Sequence, residues 1–103
     1  MLRKLNEAMD YIEAHLEEDF RLEEVAASVG ISDLSFRQLF CALTGMTLQE
    51  YVKNRRLSEA SRALLRGSPV TETAYRYGYQ SLDGFTRAFR KWSGLLPSEA
   101  ART

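Results

Sequence analysis

The chain of 103 residues is poor in the residues that build disulfides, metal centres and membrane spans. It has one cysteine and one histidine, so it can form no internal disulfide and offers no plausible set of zinc ligands. No apolar run approaches the roughly 20 residues that a membrane-spanning helix needs, and the N-terminus lacks the apolar core of a signal peptide. These absences predict a cytoplasmic protein without a bound metal, a cofactor or a membrane segment.

Catalytic motifs are also missing. The single histidine, His15, lies in an acidic N-terminal segment, and no serine, cysteine or carboxylate is spaced from it as in a known catalytic motif. Its position near the end of the first predicted helix favours solvent exposure or a favourable interaction with the helix dipole. The sequence therefore does not predict an enzyme.

Net charge is zero, but the charges are unevenly distributed. Residues 1–33 contain three basic and nine acidic residues, a net charge of −6, and residues 34–103 contain eleven basic and five acidic residues, a net charge of +6. This difference is either ordinary variation along a chain or the mark of an acidic solvent face and a basic working face. The second interpretation suits a polyanionic partner.

The main positive feature is an internal repeat. Residues 25–45 read VAASVGISDLSFRQLFCALTG, and residues 73–94 read TAYRYGYQSLDGFTRAFRKWSG. An offset of 48 relates Ala26 and Gly30 to Ala74 and Gly78. An offset of 49 relates Ser32, Phe36, Phe40 and Gly45 to Ser81, Phe85, Phe89 and Gly94. Each copy predicts a short helix, a glycine turn and a second helix, the pattern of a helix-turn-helix unit.

Periodicity and capping residues predict an all-α fold of seven helices. Leu2, Leu5, Met9, Ile12 and Leu16 form one stripe of the first helix. The other predicted helices cover about residues 22–29, 33–43, 48–66, 69–78 and 82–93, with a last short turn from residue 97. Their predicted N-terminal caps are Ser32, a Thr47–Glu50 capping box, Ser68 followed by Pro69, and Ser81.

The second helix of each copy has an inward stripe and an outward face. The inward stripes are Phe36, Leu39, Phe40 and Leu43 in the first copy, and Phe85, Ala88, Phe89 and Trp92 in the second. The outward residues are Leu34, Arg37, Gln38 and Cys41 in the first, and Leu82, Asp83, Thr86, Arg87 and Arg90 in the second. Since arginine and glutamine can form paired hydrogen bonds with guanine and adenine, these faces suit the reading of base edges. We call the second helix of each copy its reading helix.

The whole pattern resembles the DNA-binding domain of the AraC/XylS family of bacterial transcription regulators. The most specific part is YGYQSLDGFTRAFRKWSGLLP at residues 77–97, in which Tyr79 replaces the family's usual phenylalanine. The first copy contributes LEEVAASVGIS and FRQLF, and EYVKNRRLSEA at residues 50–60 is similar to the family's linker helix. The resemblance implies two homeodomain-like helix-turn-helix lobes, 1–46 and 67–103, joined by a linker helix at 47–66. It also implies promoter binding that usually activates transcription.

The sequence departs from the family pattern at several positions. Thr73 stands where the family has an apolar residue, and Cys41 and Ala42 stand where lysines often provide phosphate contacts. Ala100 and Ala101 replace the usual Tyr-Arg pair, which weakens the expected C-terminal cap. Two aspartates lie near the starts of the groove-facing helices, where they favour the helix dipole but repel phosphate: Asp33 and Asp83. These departures bear on affinity and sequence preference.

Site residues follow from the two outward faces. Seven are predicted to contact bases: Leu34, Arg37, Gln38, Leu82, Asp83, Thr86 and Arg87. Five are predicted to contact phosphates, together with helix N-termini: Ser32, Arg56, Ser81, Arg90 and Lys91. Of Arg55 and Arg56, one is expected at a phosphate and the other at Glu59 or between the lobes. Trp92 and Tyr51 are expected in the core, and Cys41 is either a small surface residue or a redox-sensitive contact.

Double-stranded promoter DNA and RNA polymerase are the expected partners, and the nucleoid is the expected location. The alternative is a helical protein-interaction module that binds no DNA, which the near-neutral net charge favours. Because Met1 directly precedes the first helix, the chain is expected to be either a stand-alone regulator or a regulator whose C-terminal effector-binding domain is absent. The loose ending at residues 101–103 favours the second expectation.

Overall fold

The computed structural model describes residues 2–102, and no strand occurs in that range. The helices are α1 (Leu2–Ala14), α2 (Leu22–Ser28), α3 (Asp33–Thr44), α4 (Leu48–Leu65), α5 (Val70–Arg76), α6 (Leu82–Ser93) and α7 (Pro97–Ala100). Every predicted helix is present, so the all-α, seven-helix prediction is confirmed for the described residues. None of these helices combines the length and the apolar character that crossing a membrane requires.

The chain divides into two compact units, Met1–Lys53 and Asn54–Thr103. We call them the first unit and the second unit. The boundary falls inside α4, so the start of this helix belongs to the first unit and the remainder to the second. The finer division into two lobes and a separate linker at residues 47–66 stays a prediction.

Two buried phenylalanines anchor α3 in the first unit. Phe36 and Phe40 are fully buried, and their ring centroids lie 6.1 Å apart. They pack in a core to which α1, α2, the residues just after these two helices and the start of α4 contribute Ala8, Ile12, Leu16, Val25, Ala26, Val29, Leu48 and Val52. Burial of a phenylalanine side chain stabilises a fold by about 1.5–3 kcal/mol. These two residues therefore fix which face of α3 is turned to solvent.

The second unit repeats this arrangement around α6. Phe85 and Phe89 are fully buried, with ring centroids 5.5 Å apart. Their core consists of Leu57, Ala60, Ala63, Leu64, Ala74, Tyr77 and Ala100. Thr73 is buried as well, and its hydroxyl donates to the Pro69 carbonyl oxygen at 2.8 Å. The polar residue predicted at this packing position is thus satisfied by the backbone of its own helix.

The hydrogen bonds at the ends of the two repeat copies also match, and the match continues beyond Gly45 and Gly94. The Thr44 hydroxyl donates to the Phe40 carbonyl at 2.8 Å, and the Ser93 hydroxyl donates to the Phe89 carbonyl at 2.9 Å, again at an offset of 49. Farther along, the Thr47 amide donates to the Glu50 carboxylate at 3.1 Å, as the Leu96 amide does to Glu99 at 2.8 Å. The start of α4 and the short helix α7 are therefore equivalent elements.

The predicted capping box at the start of α4 is confirmed in both directions. The Glu50 amide donates to the Thr47 hydroxyl at 3.1 Å, while the Glu50 carboxylate accepts from the Thr47 amide and hydroxyl. These hydrogen bonds favour the ionised carboxylate and lower the pKa of Glu50. The box therefore stabilises the helix start most when Glu50 is ionised.

Four packing and capping predictions are wrong. Leu2 and Leu43 are 72% and 55% exposed, and Trp92 is 39% exposed although its ring contacts Phe89 edge-on at 5.7 Å. Leu43 and Trp92 lie in the last turns of the twelve-residue helices α3 and α6. The preceding helices α2 and α5 have seven residues each and are too short to cover these last turns. Ser68 is not the cap of α5, because Pro69 itself occupies that position with an extended ψ of 144°.

We predict that Phe40→Ala and Phe89→Ala each lower the free energy of unfolding by about 3–5 kcal/mol, because each leaves a cavity under a reading helix. Urea denaturation followed by circular dichroism measures the change. Leu43→Ala is the matched control, since Leu43 lies on the same helix but is exposed, and it is expected to change stability by less than about 0.5 kcal/mol. Wild-type stability in both phenylalanine variants would contradict the core described here.

Candidate nucleic-acid interface

Both helix-turn-helix units use the same turn. Gly30 and Gly78 have positive φ values of 72° and 92°, a region that glycine enters without steric cost. The amide of the residue after each glycine donates a hydrogen bond to an alanine carbonyl. Ile31 donates to Ala26 at 3.1 Å, and Tyr79 donates to Ala74 at 3.0 Å. This pattern ends the first helix and sends the chain towards the reading helix.

Each reading helix begins with a serine cap, as predicted. The Ser32 hydroxyl accepts from the Ser35 amide at 3.2 Å, and the Ser81 hydroxyl accepts from the Gly84 amide at 3.0 Å. A hydroxyl that accepts one hydrogen bond still has its own proton to donate. Both serines are exposed, so this proton can reach a phosphate oxygen at a helix N-terminus.

The outward face of α3 is exposed and chemically mixed. Leu34 is 69% exposed, and Gln38 and Cys41 are also exposed. Arg37 is less accessible, with 35% of its side chain exposed. The structure thus places these four predicted residues on the solvent side of the helix, opposite Phe36 and Phe40.

Arg37 is held by two carboxylates. Its Nε donates to Asp33 Oδ1 at 2.9 Å, one turn earlier on the same helix. Its Nη2 lies 3.9 Å from Glu23 Oε1, so the guanidinium also reaches α2. The sequence pattern predicted that Asp33 interacts with the helix dipole and repels phosphate. It did not indicate the contact between Glu23 and Arg37. The contact joins two helices, and helical periodicity predicts only neighbours within one helix.

The outward face of α6 is more open. Arg87 Nη2 lies 3.2 Å from Asp83 Oδ2, and the two side chains are 78% and 81% exposed. Leu82 is 42% exposed, and the Thr86 hydroxyl donates to the Leu82 carbonyl at 2.8 Å. The ion pair that holds Arg87 is therefore exposed, and such a pair is worth little in water.

An apolar groove lies beside the start of α6. Its volume is about 260 Å³, and its lining residues are Val70, Leu82, Thr86, Leu96, Pro97 and Ser98. In the repeat alignment, Leu82 and Thr86 correspond to Asp33 and Arg37 of the first unit. The two units therefore present different chemistry at equivalent positions, an ion pair in one and an apolar groove in the other.

The remaining predicted phosphate contacts are basic residues of the second unit. Arg90 and Lys91 are exposed in the last turn of α6. Arg55 Nη2 lies 3.4 Å from Glu59 Oε2, as one predicted alternative required. Arg56 is half-buried, and its guanidinium lies beside Gly78. A methyl group in place of the glycine hydrogen would be 3.6 Å from Arg56 Nη1. Burial raises the pKa of Tyr79, and the nearby Arg56 guanidinium acts in the opposite direction.

His15 has a structural role. Its ring stacks on Tyr11 at a centroid distance of 4.1 Å, and its Nδ1 lies 2.6 Å from the Tyr11 carbonyl oxygen. Only 31% of its side chain is exposed, so of the two predicted alternatives plain solvent exposure does not apply. The contact with a carbonyl near the end of α1 agrees with the predicted interaction at a helix C-terminus.

The comparisons with known proteins point in one direction. A family model described as a helix-turn-helix domain matches residues 25–103. The right origin-binding protein of Escherichia coli strain K12 is 33% identical over 95 residues, which cover 91% of this chain but 33% of that protein. The chain thus spans about a third of the length of this relative.

Solved structures agree with this match. An AraC-type transcriptional regulator from Chromobacterium violaceum superposes with a TM-score of 0.92 at 25% identity, covering 98% of this chain and 91% of that one. The DNA-binding domain of AdpA, a global transcriptional factor solved in complex with a target DNA, superposes with a TM-score of 0.87 at 29% identity. That alignment covers 96% of this chain and 90% of the AdpA chain.

We predict that Ser32→Ala and Ser81→Ala each cost about 1 kcal/mol of stability, because each leaves an amide at a helix N-terminus without its cap. Ser32→Asp and Ser81→Asp are expected to keep wild-type stability, since aspartate caps helices as well as serine does. Thermal unfolding of the four variants measures the effect. Equal losses for alanine and aspartate at either position would show that the cap contributes nothing there.

Proposed function

Because the chain belongs to the AraC/XylS family of double helix-turn-helix DNA-binding domains, we propose that it regulates transcription by binding promoter DNA sequence-specifically with α3 and α6. The observation that carries this proposal is the duplicated architecture. Each unit has the same glycine turn, the same serine cap and the same pair of buried phenylalanines. This scaffold exposes one face of one helix in each unit, as major-groove reading requires.

The proposed base contacts lie on these two faces. Arg37 and Gln38 of α3 provide donors and acceptors for guanine and adenine, and Leu34 offers an apolar contact to a thymine methyl group. On α6, Arg87 is proposed to contact guanine, Asp83 to accept from cytosine, and Thr86 and Leu82 to contact thymine. Gln38 and Arg87 occupy equivalent repeat positions, so the two helices are proposed to read different bases.

The proposed phosphate contacts are Ser32, Arg56, Ser81, Arg90 and Lys91, together with amides at helix N-termini. These contacts hold the helices in register but carry no sequence information. Four of the five residues belong to the second unit, where the chain also has its excess of basic residues. We therefore propose that the second unit provides most of the electrostatic affinity.

Further partners are proposed on the basis of the family. RNA polymerase is the proposed partner for activation of transcription. Since the chain corresponds to about a third of the right origin-binding protein, we propose that the working form of this regulator also contains a C-terminal effector-binding domain. The nucleoid within the cytoplasm is the proposed location. The family consists of DNA-binding proteins, and no catalytic role is proposed.

One observation favours a second candidate function. The chain has no net charge, whereas DNA-binding domains are usually basic. A helical module that binds another protein through its exposed apolar side chains would fit that charge. The two functions differ in their response to salt and to duplex DNA.

We predict that the affinity for duplex DNA falls linearly with salt on a log–log plot, because basic side chains replace counterions at phosphates. The expected slope is about −0.9 for each phosphate neutralised, with roughly 4 to 8 such contacts. Fluorescence anisotropy with a labelled duplex across a salt series measures it. Absence of binding at low salt, or a flat salt dependence, would favour the protein-interaction module.

We predict that Arg37→Ala and Arg87→Ala each weaken binding by about 1–3 kcal/mol and relax base preference in different half-sites. The half-sites are expected about one helical turn apart, roughly 10 base pairs between centres. Selection of bound sequences from a random duplex pool, repeated with each variant, identifies the affected bases.

Two results of this selection would change the proposal. Uniform weakening at all positions would demote the arginine to a phosphate contact. Loss of preference in the same half-site for both variants would contradict the model in which each unit reads its own bases.

A further inference from the structure

The two arginines proposed to read bases are held in different ways. From this difference we infer that Asp33 is a positioning residue that orients the Arg37 guanidinium towards a guanine in the half-site of the first unit. The inference rests on the proposed DNA binding and names the residue that sets one base preference. Asp33 itself does not contact the base.

The atoms used in the Asp33–Arg37 pair carry the first step. Asp33 Oδ1 accepts from Arg37 Nε at 2.9 Å. Guanine presents two acceptors, O6 and N7, and arginine satisfies both through two neighbouring N–H groups. Because Asp33 occupies Nε, the terminal edge formed by Nη1 and Nη2 is the edge directed away from Asp33. The ion pair thus selects the edge that meets the base.

The environment of Arg37 carries the second step. Its side chain is 35% exposed, whereas the Arg87 side chain is 78% exposed. An arginine that is already ordered loses less rotational freedom when it binds, and this loss normally opposes affinity. Asp33 therefore both fixes the direction of the guanidinium and lowers the entropic cost of the base contact.

Glu23 is the competitor that a guanine must displace. Its Oε1 lies 3.9 Å from Arg37 Nη2, a longer distance than the Asp33 contact. Its Oε2 lies 3.7 Å from Arg21 Nε, so Glu23 keeps a cationic partner when Arg37 turns to DNA. The terminal edge of Arg37 can therefore exchange a carboxylate for a base while Nε stays on Asp33.

The second unit provides an internal comparison. The contact of Asp83 with Arg87 is an ion pair of 3.2 Å to Nη2, and both side chains are largely exposed. Because an exposed ion pair is weak in water, Asp83 restrains Arg87 less than Asp33 restrains Arg37. We therefore assign the positioning role to Asp33 and not to Asp83, which makes Asp83 a matched control.

The experiment measures the preference for guanine and not only overall affinity. Wild-type protein first selects its preferred duplex from a random pool, and the guanine affected by Arg37→Ala is then replaced by each other base. The ratio of affinities for guanine and for the best alternative is measured for wild type, Asp33→Ala, Asp33→Asn, Asp83→Ala, and Asp33→Ala combined with Arg37→Ala. Thermal unfolding of each variant, without DNA, confirms that the protein is folded.

Asp33→Ala is expected to lower the guanine preference about tenfold, within the range of one paired arginine contact. Asp33→Asn is expected to retain part of it, because its side-chain oxygen still accepts from Nε. In the Arg37→Ala background, Asp33→Ala is expected to leave base preference unchanged. Asp83→Ala is expected to change base preference only in the half-site of the second unit, where Asp83 is itself a proposed base contact. Failure of the wild type to bind any duplex would refute the proposed function instead.

Three results would overturn the positioning role while leaving DNA binding intact. The first is an unchanged guanine preference in Asp33→Ala. The second is a uniform gain in affinity for all duplexes, which would mean that Asp33 acts only by repelling phosphate. The third is an effect of Asp33→Ala that persists in the absence of Arg37.

Discussion

Burial of two phenylalanines on one side of each reading helix is the constraint from which the other features follow. Phe36 and Phe40 in the first unit, and Phe85 and Phe89 in the second, are spaced one turn apart and have no solvent exposure. Once they are buried, the rotation of the helix is fixed and its outward residues are determined. The serine cap and the glycine turn then set where the helix begins. Chemistry on the exposed face can change while this support stays the same.

The exposed faces have diverged in this way. Aligned on the phenylalanines, Arg37 corresponds to Thr86 and Asp33 to Leu82, so an ion pair in one unit becomes the edge of an apolar groove in the other. The second Asp–Arg pair lies one residue later, which rotates it about 100° around the helix axis. Two reading helices with different base preferences would require this combination, in which the buried positions are the same and the exposed positions differ.

The sequence was sufficient for the helices and their turns because these depend on local signals. Ser32, Ser81, Gly30 and Gly78 specify caps and positive φ values within a few residues of themselves. Burial at helix ends was predicted less well, as the exposed Leu43 shows. Periodicity identifies the inward face of a helix but not how far its neighbour extends along it.

Contacts between helices could not be predicted from the sequence pattern either. The Glu23–Arg37 contact joins residues on two helices, and no spacing rule within one helix indicates it. The prediction that Ser68 caps α5 was wrong for a different reason. The fixed φ of a proline suits both the cap and the first helical position, so only ψ, here 144°, distinguishes them.

The inequality of the two reading helices gives the molecule a polarity. A two-fold symmetric dimer reads a palindrome and binds equally well in either direction along the duplex. A single chain with an ion-paired arginine in one unit and an apolar groove in the other has no such symmetry. With both units on DNA, reversing the target sequence would pair each helix with the wrong half-site. The base sequence of a promoter would then determine the direction in which the protein binds it.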